Sequence, residues 1–171
     1  MHTRKAILPD GPYIQELIAL NVEVGALLPR NLPDICEHVR DFVVVEESGR
    51  LIGCGALHLY GTHLAEIRSV SVHPSYQGKG AGRRLIKALL QDAARHQVAG
   101  VCLFTRIPEY FAKLGFGMAE LTALPDKIYK DCLQCPRLSA CDEVAMIKGE
   151  VPKLTVLEQA RMFARPIKLN V

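Results

Sequence analysis

The stretch Glu66-Ile67-Arg68-Ser69-Val70-Ser71-Val72-His73-Pro74-Ser75-Tyr76-Gln77-Gly78-Lys79-Gly80-Ala81-Gly82-Arg83-Arg84-Leu85 runs from a β-branched segment through a glycine-rich turn into an amphipathic segment. His63 to Val72 reads as a strand. From Ala81 onward, Leu85, Ile86, Leu89, Leu90 and Ala93 recur on one stripe, which predicts a helix ending near Gly100. Between the two, the glycines of Gln77-Gly78-Lys79-Gly80-Ala81-Gly82 let backbone N–H groups approach a ligand closely. The helix N-terminus behind them adds a positive dipole end, so the turn suits a pyrophosphate. Lys79, Arg83 and Arg84 add charge of the same sign. A Walker A loop is excluded because Gly-x4-Gly-Lys-Ser/Thr is absent, and the dinucleotide fingerprint is excluded because position 83 is Arg83. Gln-x-x-Gly-x-Gly remains, a pattern that by itself also fits an ordinary glycine-rich connection.

Working outward, Thr3 to Leu8 reads as a short strand, and Asp10 as the cap of a helix carrying Ile14, Leu17, Ile18 and Val22 at helical spacing. A second short helix closes at Cys36 to His38. Phe42 to Glu46 and Leu51 to Leu59 then flank the turn Glu47-Ser48-Gly49-Arg50 as a hairpin. Downstream, Val101 to Phe104 predicts a buried strand, Pro108 to Leu114 a short helix ended by Gly115, and Phe116 to Leu121 and Glu143 to Ile147 two more strands. The order β-α-α-β-β-β-α-β-α-β indicates an α+β, mixed-sheet domain and not a doubly wound parallel one. A chain of 171 residues with no repeat, low-complexity tract or linker is expected to form one domain, 1–171.

Composition narrows the function classes. With 49% hydrophobic and 23% charged residues the chain reads as globular, and no segment approaches the roughly 18 apolar residues of a membrane span. The first ten residues lack the apolar run of a secretory signal, which makes the cytoplasm the expected location. A net charge of +3, without basic–aromatic interleaving, argues against nucleic acid and is compatible with an anionic ligand.

The opening stretch, together with Tyr110-Phe111-Ala112-Lys113-Leu114-Gly115-Phe116, resembles the two signatures of the GNAT N-acetyltransferase superfamily, at the spacing that superfamily shows. The resemblance implies a GNAT acyl-CoA N-acyltransferase fold, a mostly antiparallel sheet flanked by helices, and acetyl-CoA as co-substrate. It also implies that the backbone of Val70, Ser71 and Val72 holds the pantetheine arm, and that Gln77, Gly78, Lys79, Gly80, Ala81, Gly82 and Arg83 hold the pyrophosphate. Glu66 occupies the strand position where many members carry a catalytic glutamate. Physically, an ammonium has no lone pair and must lose a proton before it attacks a thioester, a task for a carboxylate; a solvated strand-end carboxylate is the alternative for Glu66. A backbone N–H near Val72 would polarise the carbonyl. Many relatives carry a tyrosine as general acid four residues before the glycine of Gly-Phe. Phe111 stands there, Tyr110 is expected to point elsewhere on the helix, and the acid is unassigned.

Leu124-Pro125-Asp126-Lys127 and the segment through Met146 resemble the C-terminal part of short, single-domain N-acetylglutamate synthases, which begin arginine biosynthesis. That resemblance implies L-glutamate or L-glutamine as acceptor, with Lys127 as a substrate-carboxylate ligand supported by Arg68; Arg106 and Arg137 are further cations. Two carboxylates need paired cations, Arg as a fork and Lys as a point charge. Cys132-x2-Cys135-x5-Cys141 has a two-residue gap compatible with a tetrahedral metal, but a fourth ligand is not evident, so the metal is unknown and reduced structural thiols are the alternative. Another small amine or a protein N-terminus as acceptor, and a non-catalytic acyl-CoA sensor, stay open. An exposed sheet edge also makes a homodimer an expectation.

Overall fold

The computed structural model describes residues 1–150, so the last part of the expected domain, 151–171, lies outside the described residues. Its elements are β1 (His2–Lys5), α1 (Gly11–Glu23), α2 (Leu32–Glu37), β2 (Phe42–Glu47), β3 (Arg50–Leu59), β4 (Leu64–Val72), α3 (Ala81–Arg95), β5 (Gly100–Thr105), α4 (Pro108–Ala112), β6 (Gly117–Met118), α5 (Pro125–Lys130) and β7 (Val144–Gly149). The strands form one sheet in the order β1-β2-β3-β4-β5-β7-β6. Every pairing is antiparallel except β4 with β5, which are parallel because α3 carries the chain across between them.

Alternation along the strands builds a core on each side of the sheet. Val43 and Val45 of β2 join Leu85, Ile86 and Leu89 of α3. Phe42 and Val44, pointing the other way, join Ile14, Leu17 and Ile18 of α1 and Ile35 of α2. Full burial of each such aliphatic side chain stabilises the fold by about 1.5–3 kcal/mol.

The alternation of β4 slips once. Ala65 and Ile67 face the α3 core, and so do Val70 and Val72 beyond them, one position out of phase. Ser69 sits between at φ +54, and the β3–β4 register shifts opposite it, between Cys54 and Ala56. This is a β-bulge: one extra residue bends the strand. Pairing of β4 with β5 covers only Leu64, Ala65 and Glu66 against Gly100, Val101 and Cys102. Past Glu66 the two parallel strands separate, and Ile67 to Val72 keep β3 as their only ladder partner among the described residues.

Several boundaries differ from the sequence reading, among them the end of α3, at Arg95 and not near Gly100. β1 stops at Lys5, because Leu8-Pro9-Asp10 turns as a 3-10 helix. Asp10 begins α1 without a side-chain cap, since its carboxylate instead accepts Arg4 Nη1 at 2.6 Å, Arg4 Nη2 at 2.9 Å and the Ile7 amide at 2.8 Å. α4 ends at Ala112, and β6 is only Gly117–Met118, a 3-10 turn at Leu121–Ala123 replacing its expected second half. α5 was not expected as a helix. It is anchored by Leu124, fully buried against Leu64, Cys102 and Ala145.

Candidate active site

Glu66 is the last β4 residue paired with β5 and is only 2% exposed. A buried carboxylate needs donors, and both of its oxygens have one. Lys127 Nζ of α5 donates to Oε1 at 2.8 Å, and the Tyr60 hydroxyl, at the end of β3, reaches Oε2 at 2.7 Å. Asp131 gathers the same groups: Tyr60 Oη at 2.9 Å, Lys127 Nζ at 3.1 Å and Arg68 Nη1 at 3.4 Å all meet its Oδ2. Arg68 also lies 3.9 Å from Glu66. Two carboxylates and two cations therefore form a formally neutral cluster, in which the one hydrogen of Tyr60 serves two acceptors. Burial opposes the charge on Lys127, but Glu66 and Asp131 outweigh it and hold its pKa above the ordinary lysine value. Burial likewise opposes the charge on Asp131, and Lys127, Tyr60 and Arg68 overcome it to hold that carboxyl below its usual range. For Tyr60, burial and the two carboxylates act together and raise the hydroxyl pKa far above its ordinary value. The phenol stays protonated.

This cluster forms one wall of a cavity of about 940 Å³. Glu66, Arg68 and Ser69 reach it from β4, Arg30 from the α1–α2 connection, His58 from β3, and Lys127, Asp131 and Cys132 from the α5 region. Arg30 is held by Asp34, Nε to Oδ2 at 2.6 Å, with its guanidinium 5.2 Å from the Phe42 ring centre. Arg68 and Lys127, separated by 59 positions in the chain, thus meet around Glu66. Arg106 is engaged elsewhere, by Asp142 at 2.6 Å, and Arg137 donates to the Gly25 carbonyl at 3.0 Å. Tyr60, Asp131 and Arg30 escaped the sequence reading, which takes His58 as a strand residue without a role. A usable signal existed for one: Asp131 stands four residues after Lys127, the spacing that places two side chains on one helix face.

The glycine-rich turn lies at the other end of the opened strand. Gly78 (φ +72) and Gly80 (φ +89) are left-handed, a conformation costly for any residue with a Cβ, and nothing lies within 4 Å of a Cβ built on either. The amides of Gly78, Lys79 and Gly80 donate to no acceptor among the described residues, and the first N–H groups of α3 have no intrahelical partner. An open left-handed cradle with orphan donors at a helix N-terminus fits a pyrophosphate. Gln77 Nε2 donates to the Val72 carbonyl at 3.2 Å, tying the turn to the strand. The Ser71 side chain does not face the α3 side; it donates to the Leu17 carbonyl and accepts from Asn21, so only its backbone is free for a ligand. Phe111 is buried in the core, 6.1 Å from Phe116 ring to ring. Tyr110 packs edge-on against Phe111, ring centres 5.1 Å apart, and its hydroxyl reaches α3, where it would lie 3.0 Å from a Cβ at position 82. Burial pushes its pKa up, against the pull of Arg83.

Among the described residues, no three His, Cys, Asp or Glu side chains are placed to hold a metal ion. Cys132, Cys135 and Cys141 line the cavity wall without converging as a ligand set. No described helix is long and apolar enough to cross a membrane.

A parted pair of parallel strands, a phosphate cradle at one end and a buried carboxylate at the other define an acyl-CoA-dependent transferase. The chain belongs to the Acetyltransferase (GNAT) family, whose model matches residues 19–116. It is 37% identical over 145 residues, 85% of this chain and 94% of the other, to an uncharacterized N-acetyltransferase of Chlorobaculum tepidum. It is 36% identical over 132 residues, 75% of each chain, to the amino-acid acetyltransferase of Mycobacterium tuberculosis. Among solved structures, the M. tuberculosis protein Rv2747 in complex with CoA and NLQ superposes with a TM-score of 0.76 at 29% identity, covering 88% of this chain and 100% of that one. The N-acetylglutamate synthase of Neisseria gonorrhoeae, complexed with CoA and N-acetyl-glutamate, gives 0.78 at 28% identity; 86% of this chain matches 34% of that longer one. The fold and co-substrate expectations hold: this is a GNAT-type, acetyl-CoA-dependent acetyltransferase.

Proposed function

We propose that this acetyltransferase acts on the α-amino group of L-glutamate, or of L-glutamine, and so performs the entry step of arginine biosynthesis. The observation that carries the reading is the Glu66–Lys127–Arg68 cluster on the wall of the cavity, where the strand opened by the Ser69 bulge begins. The amino-acid acetyltransferase relative and the neighbour bound to N-acetyl-glutamate support the same acceptor class.

Bound acetyl-CoA supplies the electrophilic thioester. The Gln77–Arg83 turn anchors it through backbone donors, and the unpaired edge of Val70, Ser71 and Val72 aligns its arm and polarises the carbonyl. Glu66 takes the proton of the incoming ammonium, directly or through a water, so that the amine lone pair attacks and the thiolate leaves. Lys127 and Tyr60 hold the Glu66 carboxylate in place before the transfer. Arg68 has the longest contacts in the cluster, 3.4 and 3.9 Å, and is the cation that turns most readily to a substrate carboxylate, with Lys127 contributing field from behind. Tyr110 is the phenol beside the turn, on the cofactor side and not at position 111, and no acid for the leaving thiolate is assigned.

Release of free thiol from acetyl-CoA with L-glutamate, L-glutamine and a panel of other amines tests the proposal, using the native chain and Glu66→Gln. Glutamate- or glutamine-dependent release that drops by about 10²- to 10⁴-fold in the variant is the expected result. Acetylation of a different amine alone would refute the acceptor assignment. Tight acetyl-CoA binding with no turnover on any amine would make the protein an acyl-CoA sensor.

A further inference from the structure

Three of the six cysteines fall within ten residues, Cys132, Cys135 and Cys141, and all three line the cavity that holds Glu66, Arg68 and Lys127. All are free thiols, the first two partly exposed and the third exposed. They do not form a metal ligand set in this arrangement. Cys132 and Cys135 stand at the two ends of one hydrogen-bonded 3-10 turn, the Cys135 amide donating to the Cys132 carbonyl at 3.0 Å. A turn closed this way brings its first and fourth Cα atoms within about 7 Å, and a disulfide spans roughly 4.4–6.8 Å between Cα atoms. The backbone therefore already supplies the separation that a bridge needs. The Arg137 amide donates to Cys135 Sγ at 3.4 Å and fixes one sulfur at the cavity wall.

We infer that Cys132 and Cys135 form a thiol–disulfide exchange site that reacts with low-molecular-weight disulfides and reshapes the acceptor cavity when oxidised. One thiolate attacks the disulfide RSSR, forming a mixed disulfide and expelling RS⁻. The second protein thiolate then attacks the mixed disulfide, closing the Cys132–Cys135 bond and expelling the second RS⁻. The two protons lost by the protein end on the two released thiolates. The protein dithiol is oxidised by two electrons, and RSSR is reduced to two RSH.

The link to the cavity is covalent. Asp131 directly precedes Cys132, and its carboxylate is the acceptor shared by Tyr60, Lys127 and Arg68. Bonding the two sulfurs swings both side chains off the cavity wall and across the turn that begins at Asp131. Because packed interiors transmit displacement, Lys127 and Arg68 are repositioned against Glu66. The phosphate turn at residues 77–83 lies outside this segment, so acetyl-CoA binding is untouched.

The full chain, equilibrated in glutathione/glutathione-disulfide buffers of rising oxidation, alkylated and peptide-mapped, tests the chemistry without any substrate. An intramolecular Cys132–Cys135 linkage, reversed by dithiothreitol, is the expected product. In steady-state kinetics, which rest on the acceptor reading above, oxidation should raise KM for the amine by about fivefold or more, about 1 kcal/mol, with KM for acetyl-CoA unchanged. Cys132→Ser and Cys135→Ser should each make the oxidised-to-reduced ratio unity, while Cys141→Ser keeps the native response. Equal alkylation of Cys132 and Cys135 in reducing and oxidising buffers would sink the proposal, as would a bridge that leaves the amine KM unmoved. If the amine acetylated is not glutamate or glutamine, the peptide map still decides whether the exchange site exists.

Discussion

At the scale of single residues, a carboxyl group buried where water is nearly excluded needs partners. Glu66 finds one in Lys127 at 2.8 Å, which turns two side chains that the sequence suggested as independent, base and substrate anchor, into one unit. Breaking a buried pair from one side leaves an uncompensated charge, which costs about 3–5 kcal/mol. Lys127→Met is therefore expected to lower the unfolding free energy by that order. Glu66→Gln combined with Lys127→Met should recover part of the loss, a coupling that chemical denaturation of the two single variants and the double variant measures directly. Additive losses would show that the pair is not a unit. Tyr60→Phe probes the same cluster more gently: one hydrogen bond fewer to two carboxylates should cost about 1–3 kcal/mol, read from the same denaturation curves.

At the scale of elements, the decisive device is the bulge of β4. The motif around Gln77 to Gly82 was legible because two of its glycines take left-handed backbone, and the amphipathic stripe of α3 was legible because it packs on a sheet. The bulge was not, since Ser69 adopts φ +54 without being glycine and leaves no local sign. α5 was missed for a related reason: its stability comes from Leu124 filling a hole beside Leu64 and Cys102, a tertiary contact 60 positions away from Leu64. Tyr60 and Asp131 went unread because neither belongs to a motif; only the fold brings them to Glu66. The phosphate turn gives a test at this scale. Gly80→Ala meets open space, so its cost is the left-handed backbone alone, about 1–2 kcal/mol. The strain should surface as a KM for acetyl-CoA raised by roughly 5- to 30-fold, with the amine KM unaffected. A variant whose acetyl-CoA KM matches the native value would show that the turn does not bind the co-substrate in its left-handed form.

At the scale of the whole molecule, several of the described charges sit in paired networks, and that gives stability a defined response to acid. His58, half-buried beside Tyr60, has its pKa lowered to about 4, first by burial and then by Arg68 and Lys130. In the unfolded chain a histidine titrates near pH 6.5. The unfolded state therefore binds the proton first, and stability falls as pH drops from about 6.5 toward 4, by roughly 1–2 kcal/mol once solvent screening of a half-exposed group is allowed for. Asp10, Asp34 and Asp131 follow the other limb: their carboxyls are held below the ordinary value of 3.8, so their contribution is complete above that pH and is lost as pH falls below it. Two successive losses are expected, a shallow one above pH 4 and a steep one beneath it. His58→Phe removes the titrating group from the first without touching the second. Thermal unfolding between pH 7 and pH 3 should then show a flat midpoint down to about pH 4 in the variant where the native chain already declines. If both proteins decline in parallel across that range, His58 is not the group that senses it, and the early loss belongs to another residue of the cavity wall.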